Sequence, residues 1–322
     1  MPITVLHSPE EWAARYGAQG RTVVSVGNFD GLHLGHQKII RQVVERARAA
    51  AQRSAIITFD PHPLRLLRPE QAPPMVQTLS QRLAGLERMG VDAALVLRFD
   101  RALSLVLPEE FINRILVDCL RVATILVGAN FCFGHRGAGN VRLLSESGKL
   151  QGFKVEIVSP VEIGGHIVSS TAVRNAVAGG NVAGAAALLG RAFSLSGEIH
   201  PGAGRGQTIL FPTLNLVPEQ ELLPKLGVYA TECIVGEKLY PSVTNVGTRP
   251  TFNGKGVTVE SHLFGFNAMV KSGPMQVRFH ARLRDEQKFS GPGALRAQIA
   301  RDIAAAQEYF ARQTVSEQSE GG

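Results

Sequence analysis

The stretch Val26-Gly27-Asn28-Phe29-Asp30-Gly31-Leu32-His33-Leu34-Gly35-His36-Gln37 decides how the first half of this chain folds. It follows the apolar, β-like run at residues 21–26 and leads into a segment whose Ile39, Ile40, Val43, Val44 and Ala47 recur at helical spacing. The stretch is therefore a strand-to-helix turn. His33 and His36, with Gly35 between them, fall where the first unpaired N–H groups of the helix and the positive end of its dipole meet an anion. That is equipment for a polyphosphate. A His-x-Gly-His by itself serves equally well as a satisfied surface turn, so the rest of the chain has to decide between the two.

Outward from this turn, apolar runs of buried-strand type recur at residues 54–59, 92–97, 123–127 and 154–158, with helical patterns between them. One helix covers residues 38–53 and carries Arg41, Arg46, Arg48 and Arg53 on its wetter faces, which a solvated surface explains. Others start at Ser80 and at Pro108, the latter with Glu109 and Glu110 in its first turn. Such alternation predicts βαβ units around a parallel sheet, whose ligands lie beyond the carboxyl ends of the strands. Three loops leave strands in that position: the opening turn, Asp60-Pro61-His62-Pro63, which its prolines hold extended, and residues 128–134 with Asn130. A fourth element, Val168-Ser169-Ser170-Thr171-Ala172-Val173-Arg174, sets capping residues and a first-turn arginine at a helix start. All four can converge on one crevice.

Past a helix at residues 181–189, closed by Gly190, the pattern changes. Gly, Pro and Thr rise, and short segments at 231–235, 258–263 and 275–280 read as meander strands of a small antiparallel barrel. The expected domains are 1–186 and 187–312, followed by a polar, disordered tail at 313–322. A closing helix at 294–310 presents Leu295, Ile299, Ile303, Ala306 and Phe310 to the barrel. Gly202-Ala203-Gly204-Arg205-Gly206-Gln207-Thr208 is a glycine-rich loop. In the Phe211-Pro212-Thr213-Leu214-Asn215 that follows, a hydroxyl and an amide two residues apart on an extended strand point the same way. Hard oxygens of this kind suit Mg²⁺ held between protein and phosphates. Glu260 lies on a strand of alternating pattern, where an exposed surface carboxylate is the ordinary reading.

Composition narrows the class. The 322 residues, 44% hydrophobic and 19% charged, suffice for two globular, soluble domains with a core in each. Lys and Arg total 34 against 27 Asp and Glu, and the formal charge of +7 favours anionic partners. A nucleic-acid-binding protein fits poorly, because the arginines are spread over several helices and aromatics make up only 6% of the chain. No apolar run approaches the ~18 residues of a membrane span, and the first residues lack the regions of a signal peptide. A cytoplasmic protein is expected. Cys119, Cys132 and Cys233 are far apart and lack metal-ligand spacing, which argues against a disulfide framework or a zinc site.

GNFDGLHLGH after a strand resembles the signature of the nucleotidyltransferase superfamily. Its GNFDG lead-in is similar to that of the FMN adenylyltransferase half of bacterial bifunctional riboflavin kinase/FAD synthetases. The glycine-rich loop with Phe-Pro-Thr-x-Asn resembles the riboflavin kinase signature, as do residues 245–252 and 283–289. The resemblance runs from Val5 to Phe310 and joins both motif sets in the family's order. It implies a Rossmann-like nucleotidyltransferase domain making FAD and pyrophosphate from FMN and ATP, then a β-barrel kinase domain making FMN from riboflavin and ATP. Mg²⁺ would serve both, with ATP as co-substrate, no tightly bound cofactor, and no nucleic-acid or membrane partner.

In the first half the resemblance makes His33, His36 and Arg174 catalytic. Gly27, Asn28, Phe29, Asp30, Gly35, Ser169, Ser170 and Thr171 would bind ATP, and Asp60 and Asn130 the flavin. In the second half Glu260 would be the base for the ribityl hydroxyl, and Gly204, Arg205, Gly206, Thr213 and Asn215 would bind ATP. Thr213 and Asn215 would also hold the metal, and Arg284 would border the flavin. The chain departs from the family pattern at Cys132, commonly basic or polar, at Leu210, usually Gly, and at Gly265, often acidic. An adenylyl- or cytidylyltransferase acting on another phosphate remains the alternative for the first half.

Overall fold

Each apolar run expected as a buried strand in the first half is a strand, but the one at 154–158 lies at the edge of the sheet and is largely exposed, with only Val158 buried. In chain order the strands are Thr4–Leu6 (β1), Thr22–Val26 (β2), Arg53–Asp60 (β3), Ala93–Arg98 (β4), Val122–Gly128 (β5), the short pair Cys132–Phe133 (β6) and Gly139–Asn140 (β7), Lys154–Val158 (β8), and the hairpin Glu162–Ile163 (β9) and His166–Ile167 (β10). The order β1-β4-β3-β2-β5-β8 forms one parallel sheet. This computed structural model describes residues 2–17, 19–200, 211–251, 254–268 and 270–320, and the side chains of 249–251, 254–255 and 314–320 lie outside the description.

Helices Pro9–Tyr16 (α1), Leu34–Ala49 (α2), Pro63–Leu67 (α3), Leu79–Arg88 (α4), Arg101–Ser104 (α5), Pro108–Phe111 (α6) and Val141–Gln151 (α7) connect the strands. Both faces of the sheet are covered, which is why its strands read as unbroken apolar runs. Val24, Val26, Ala55, Ile57 and Leu95 pack in one core with Trp12 of α1 and with Ile112 and Leu116. Val23, Ile56, Ala94 and Val96 pack in another with Ile40, Val43 and Val44 of α2 and Leu86 of α4. Sequence reading does not anticipate β1, too short to show a period, or α1, whose start is marked by Ser8 accepting the Glu11 N–H at 3.2 Å.

Two compact units divide at Ser170/Thr171. Helices Ser170–Ala178 (α8) and Val182–Leu189 (α9) therefore pack mainly with the second unit, and the composition change that marked residue 186 falls inside α9. The physical reason is close approach. The Lys225 N–H donates to Val177 O at 3.3 Å, and a Cβ on Gly180 would lie 2.8 Å from Arg282 Cδ.

In the second unit, Phe193–His200 (β11), Leu214–Pro218 (β12), Gly227–Val235 (β13), Lys238–Thr251 (β14), Gly254–Leu263 (β15) and Pro274–Arg284 (β16) close into an antiparallel barrel, ordered β11-β12-β15-β14-β13-β16. The fold class is the one expected. Helix Pro292–Glu320 (α10) lays Ile303, Ala306, Tyr309 and Phe310 on Val228, Ala230 and Val243. Leu295 and Ile299, also expected on that face, are outside this cluster. The backbone described for residues 313–320 continues α10, past the point where the polar composition suggests that the folded chain ends.

The barrel interior contains a buried chain of hydroxyls. Thr231 Oγ1 lies 2.8 Å from Ser242 Oγ and 2.6 Å from Thr244 Oγ1, which lies 2.7 Å from Ser261 Oγ. Cys233 Sγ joins at 3.2 Å from Ser242 Oγ. Hydroxyls both donate and accept, so the chain satisfies itself where water is excluded. Burial pushes the Cys233 thiol from its ordinary 9.0 up to about 11, against the hydrogen bonds of Ser242 and Ser261. The unfolded thiol therefore loses its proton first, and stability present below pH 9 is lost as pH rises toward 11. Relative to Cys233→Ala, the wild-type unfolding free energy should fall by about 2–3 kcal/mol over that window, as read by denaturant titration.

Candidate active sites

The chain turns as soon as β2 ends. Gly27 N–H donates to Ile57 O on β3 at 3.1 Å, and Phe29 adopts φ +49°, a left-handed conformation uncommon outside glycine. His33 then caps α2, its Nδ1 accepting the His36 backbone N–H at 3.4 Å. An accepting Nδ1 puts the proton of the neutral ring on Nε2, which becomes the donor. The His33 and His36 rings stack with centroids 3.7 Å apart, and Phe29 meets His36 edge-on at 5.2 Å. Gly35 permits the fold-back, since a Cβ there would lie 3.1 Å from His33 Cε1.

Buried side chains brace this turn. The carboxylate of Asp30 accepts the N–H groups of Val76 at 3.0 Å and Gln77 at 3.1 Å, so it holds the loop from below. Ser170 Oγ donates to Asp30 O at 2.8 Å and ties Ser170 to the turn. Arg82 of α4 donates from Nη1 to Asn28 O at 2.9 Å and to Thr58 Oγ1 at 2.9 Å. Gly85 lets α4 come this close, because a Cβ there would run into Leu32 Cδ1. Sequence reasoning missed Arg82, which reads as one more polar position on an amphipathic helix.

The other loops leave the same edge of the sheet. Asp60 is exposed at the carboxyl end of β3, and Asn130 is exposed in the turn after β5, where Phe131 N–H donates to Gly128 O at 3.1 Å. Strands β3, β2 and β5 are neighbours, so these two residues and the opening turn share one rim. The loop after Asp60 is not extended throughout: His62 caps α3 by accepting the Leu64 N–H at 3.2 Å, and the Asn28 amide lies 3.1 Å from His62 Nε2. Thr171 and Arg174 belong to the second unit, on α8, with Arg174 one turn beyond Ser170 and so past the first turn expected for it.

In the barrel, strand register assembles the candidate site. Glu260 pairs with Asn215 on one side and Asn245 on the other. Their chain neighbours Leu216, Val246, Val259 and Ser261 are buried inside, so the three side chains form one row on the outer face. Thr213 is exposed just ahead of β12, and His262 Nδ1 lies 2.8 Å from Pro212 O beside it. Gly204, Arg205, Gly206 and Leu210 lie outside the described residues. Arg284 serves as a strut: its Nε and Nη2 donate to Asp302 of α10 at 2.8 and 2.7 Å, and its Nη1 donates to Asp285 O at 2.9 Å. Among the described residues no group of three or more His, Cys, Asp or Glu could hold a metal ion. Thr213 and Asn215 instead offer neutral oxygens, which fit a hydrated hard cation that takes its other ligands from phosphates and water.

A parallel sheet with a histidine-bearing turn at a helix N-terminus, followed by a closed barrel with a carboxylate between two amides, is the architecture of a two-domain enzyme of nucleotidyl and phosphoryl transfer. A family model described as FAD synthetase matches residues 16–172, and one described as riboflavin kinase matches residues 189–310. The bifunctional riboflavin kinase/FMN adenylyltransferase of Escherichia coli K12 is 38% identical over 289 residues, 89% of this chain and 92% of that protein. The Pseudomonas fluorescens protein of the same name is 38% identical over 285 residues, 88% and 91% of the two chains. A Streptococcus pneumoniae crystal structure, named for a macrolide-efflux protein, matches with TM-score 0.83 and 27% identity over 94% of this chain and 97% of that one. The chain belongs to the bifunctional riboflavin kinase/FMN adenylyltransferases, with its FAD synthetase domain first and its riboflavin kinase domain second.

Proposed function

We propose that the barrel converts riboflavin and ATP to FMN and ADP, and that the first domain joins FMN to the adenylyl group of ATP, releasing pyrophosphate. The Asn215–Glu260–Asn245 row carries this reading, because it supplies one carboxylate base between two amides across three neighbouring strands, one of which follows Phe-Pro-Thr. Glu260 takes the proton of the ribityl hydroxyl as that oxygen attacks the γ-phosphorus and the bond to ADP breaks. Gly204, Arg205 and Gly206 would bind ATP. Thr213 and Asn215 would hold Mg²⁺, which when bound neutralises phosphate charge.

In the first domain a phosphate oxygen of FMN attacks the α-phosphorus of ATP, and the bond to the β-phosphate oxygen breaks. No covalent nucleophile is needed, so positioning and electrostatics carry the rate. His33, through its Nε2–H, and His36 donate to phosphate oxygens at the positive end of α2. Gly27, Asn28, Phe29 and Gly35 admit the nucleotide closely. Ser169 and Ser170 border the departing pyrophosphate, and Asp60 and Asn130 border the flavin. Asp30 and Arg284 act at one remove, through the turn and α10 that they brace.

The partners are small molecules, and the enzyme works in the cytoplasm; no helix among the described residues is long and apolar enough to cross a membrane. Supplied with riboflavin, ATP and Mg²⁺, the protein should form FMN and then FAD, followed by chromatography. Excess chelator should stop both products and added Mg²⁺ should restore them. Undiminished FMN formation in chelator would remove the metal from this account.

A further inference from the structure

One peptide of the opening turn has its two ends treated unequally. The Asn28 carbonyl accepts from Arg82 Nη1 at 2.9 Å and from Thr58 Oγ1 at 3.2 Å. The N–H of the same peptide, on Phe29, meets no acceptor among the described residues. The peptide is trans, so its N–H points opposite to its carbonyl, away from the buried Arg82 and Thr58. Phe29 is left-handed, and backbone N–H groups in turns of that kind form concave anion sites.

Arg82 is an unfavourable residue with which to fill such a space. It is 2% exposed, and its Nε has no hydrogen-bond partner. Burial lowers its pKa, with the charges of Asp30 and Asp60 opposing. Its hydrogen bonds all leave from Nη1, and they end on Asn28 O of the turn, on Thr58 Oγ1 and, at 3.4 Å, on Phe59 O of the strand that delivers Asp60. A guanidinium buried at such a cost in solvation thus connects two loops of one rim.

We propose that Arg82 is a positioning residue for adenylyl transfer: it fixes the Asn28–Phe29 peptide with its carbonyl inward, so that the Phe29 N–H stands as a preset donor to a phosphate oxygen in the transition state. The inference rests on the assignment of adenylyl transfer to the His33–His36 turn.

The test assays full-length Arg82→Met, Arg82→Lys, Thr58→Val and His36→Ala proteins for FAD formation from FMN and ATP, alongside thermal melting. Arg82→Met should lose about 10- to 100-fold in kcat, with KM for ATP and FMN within about threefold, as expected for a misaimed donor felt only in the transition state. Arg82→Lys should recover to within about threefold of wild type, because one ammonium can serve acceptors now served by one nitrogen. Folded Arg82→Met with kcat within about twofold of wild type overturns the proposal. So does an Arg82→Lys as slow as Arg82→Met with both losses tracking melting temperature, which would mark a brace only. If Arg82→Met does not fold, Thr58→Val decides: a kcat loss of about three- to tenfold at constant KM supports the proposal, and an unchanged kcat overturns it. His36→Ala separates the two levels. Should it keep FAD formation, the assignment of the turn fails; should it lose FAD formation while Arg82→Met keeps it, only the positioning role fails.

Discussion

His36→Ala should cut the rate of FAD formation by about 100- to 1000-fold while FMN formation from riboflavin continues, so that FMN accumulates in a reaction that normally ends in FAD. The magnitude is that of losing one preorganised donor in a transition state whose charge grows on phosphate oxygens. His36 stands in the first turn of α2, its ring stacked on His33 at 3.7 Å and touched edge-on by Phe29 at 5.2 Å. The ring is therefore held before substrate arrives, and little reorganisation is left for the reaction to supply. Alanine also removes the support that keeps His33 in place, so the two histidines should behave as a unit: His33→Ala, His36→Ala adds less than the sum of the single changes. Time courses of FMN and FAD by chromatography read the result. FAD formation within about threefold of wild type in folded His36→Ala would end the assignment of this turn.

Glu260→Gln should do the reverse. FMN formation should fall by about 100- to 10,000-fold, the usual worth of a positioned general base, while FMN added from outside is still converted to FAD. Glutamine keeps the size of the side chain and its place in the row with Asn215 and Asn245, so the loss isolates the proton acceptor from the packing. The two activities reside in separately folded units, one a parallel sheet and the other a closed barrel, which is why each change should silence one reaction only. Loss of FMN formation from riboflavin in folded His36→Ala, or failure of folded Glu260→Gln to convert added FMN to FAD, would refute the two-site assignment.

The local structure around each candidate site, where it lies within one short stretch, was legible beforehand. The strand-to-helix turn carries its own evidence: β2 is a continuous apolar run, α2 has a helical period, and glycines mark the places where the backbone bends sharply or a side chain folds back. Residues that work across the fold were not legible in the same way. Asp30 read as a nucleotide contact because it sits in the motif, yet its carboxylate is occupied by the N–H groups of Val76 and Gln77, more than forty positions along the chain. Arg284 read as a ligand neighbour from its motif and is paired with Asp302 of α10. Arg82 gave no signal at all, since an arginine on a helix is ordinarily solvated and only its neighbours in space reveal that it is buried.

The sequence by itself determined the βαβ half, the change to short strands after α9, and the local motifs proposed to carry the chemistry, because hydrophobic period, capping and turn chemistry act over a few residues. Tertiary structure alone decided the order of the barrel strands, the row that sets Glu260 between Asn215 and Asn245, and the bracing of the His33–His36 turn from beneath by Asp30 and Arg82. Those features depend on which distant segments become neighbours. That choice is made by burying both faces of a sheet and closing a barrel, and no window of the sequence contains both partners.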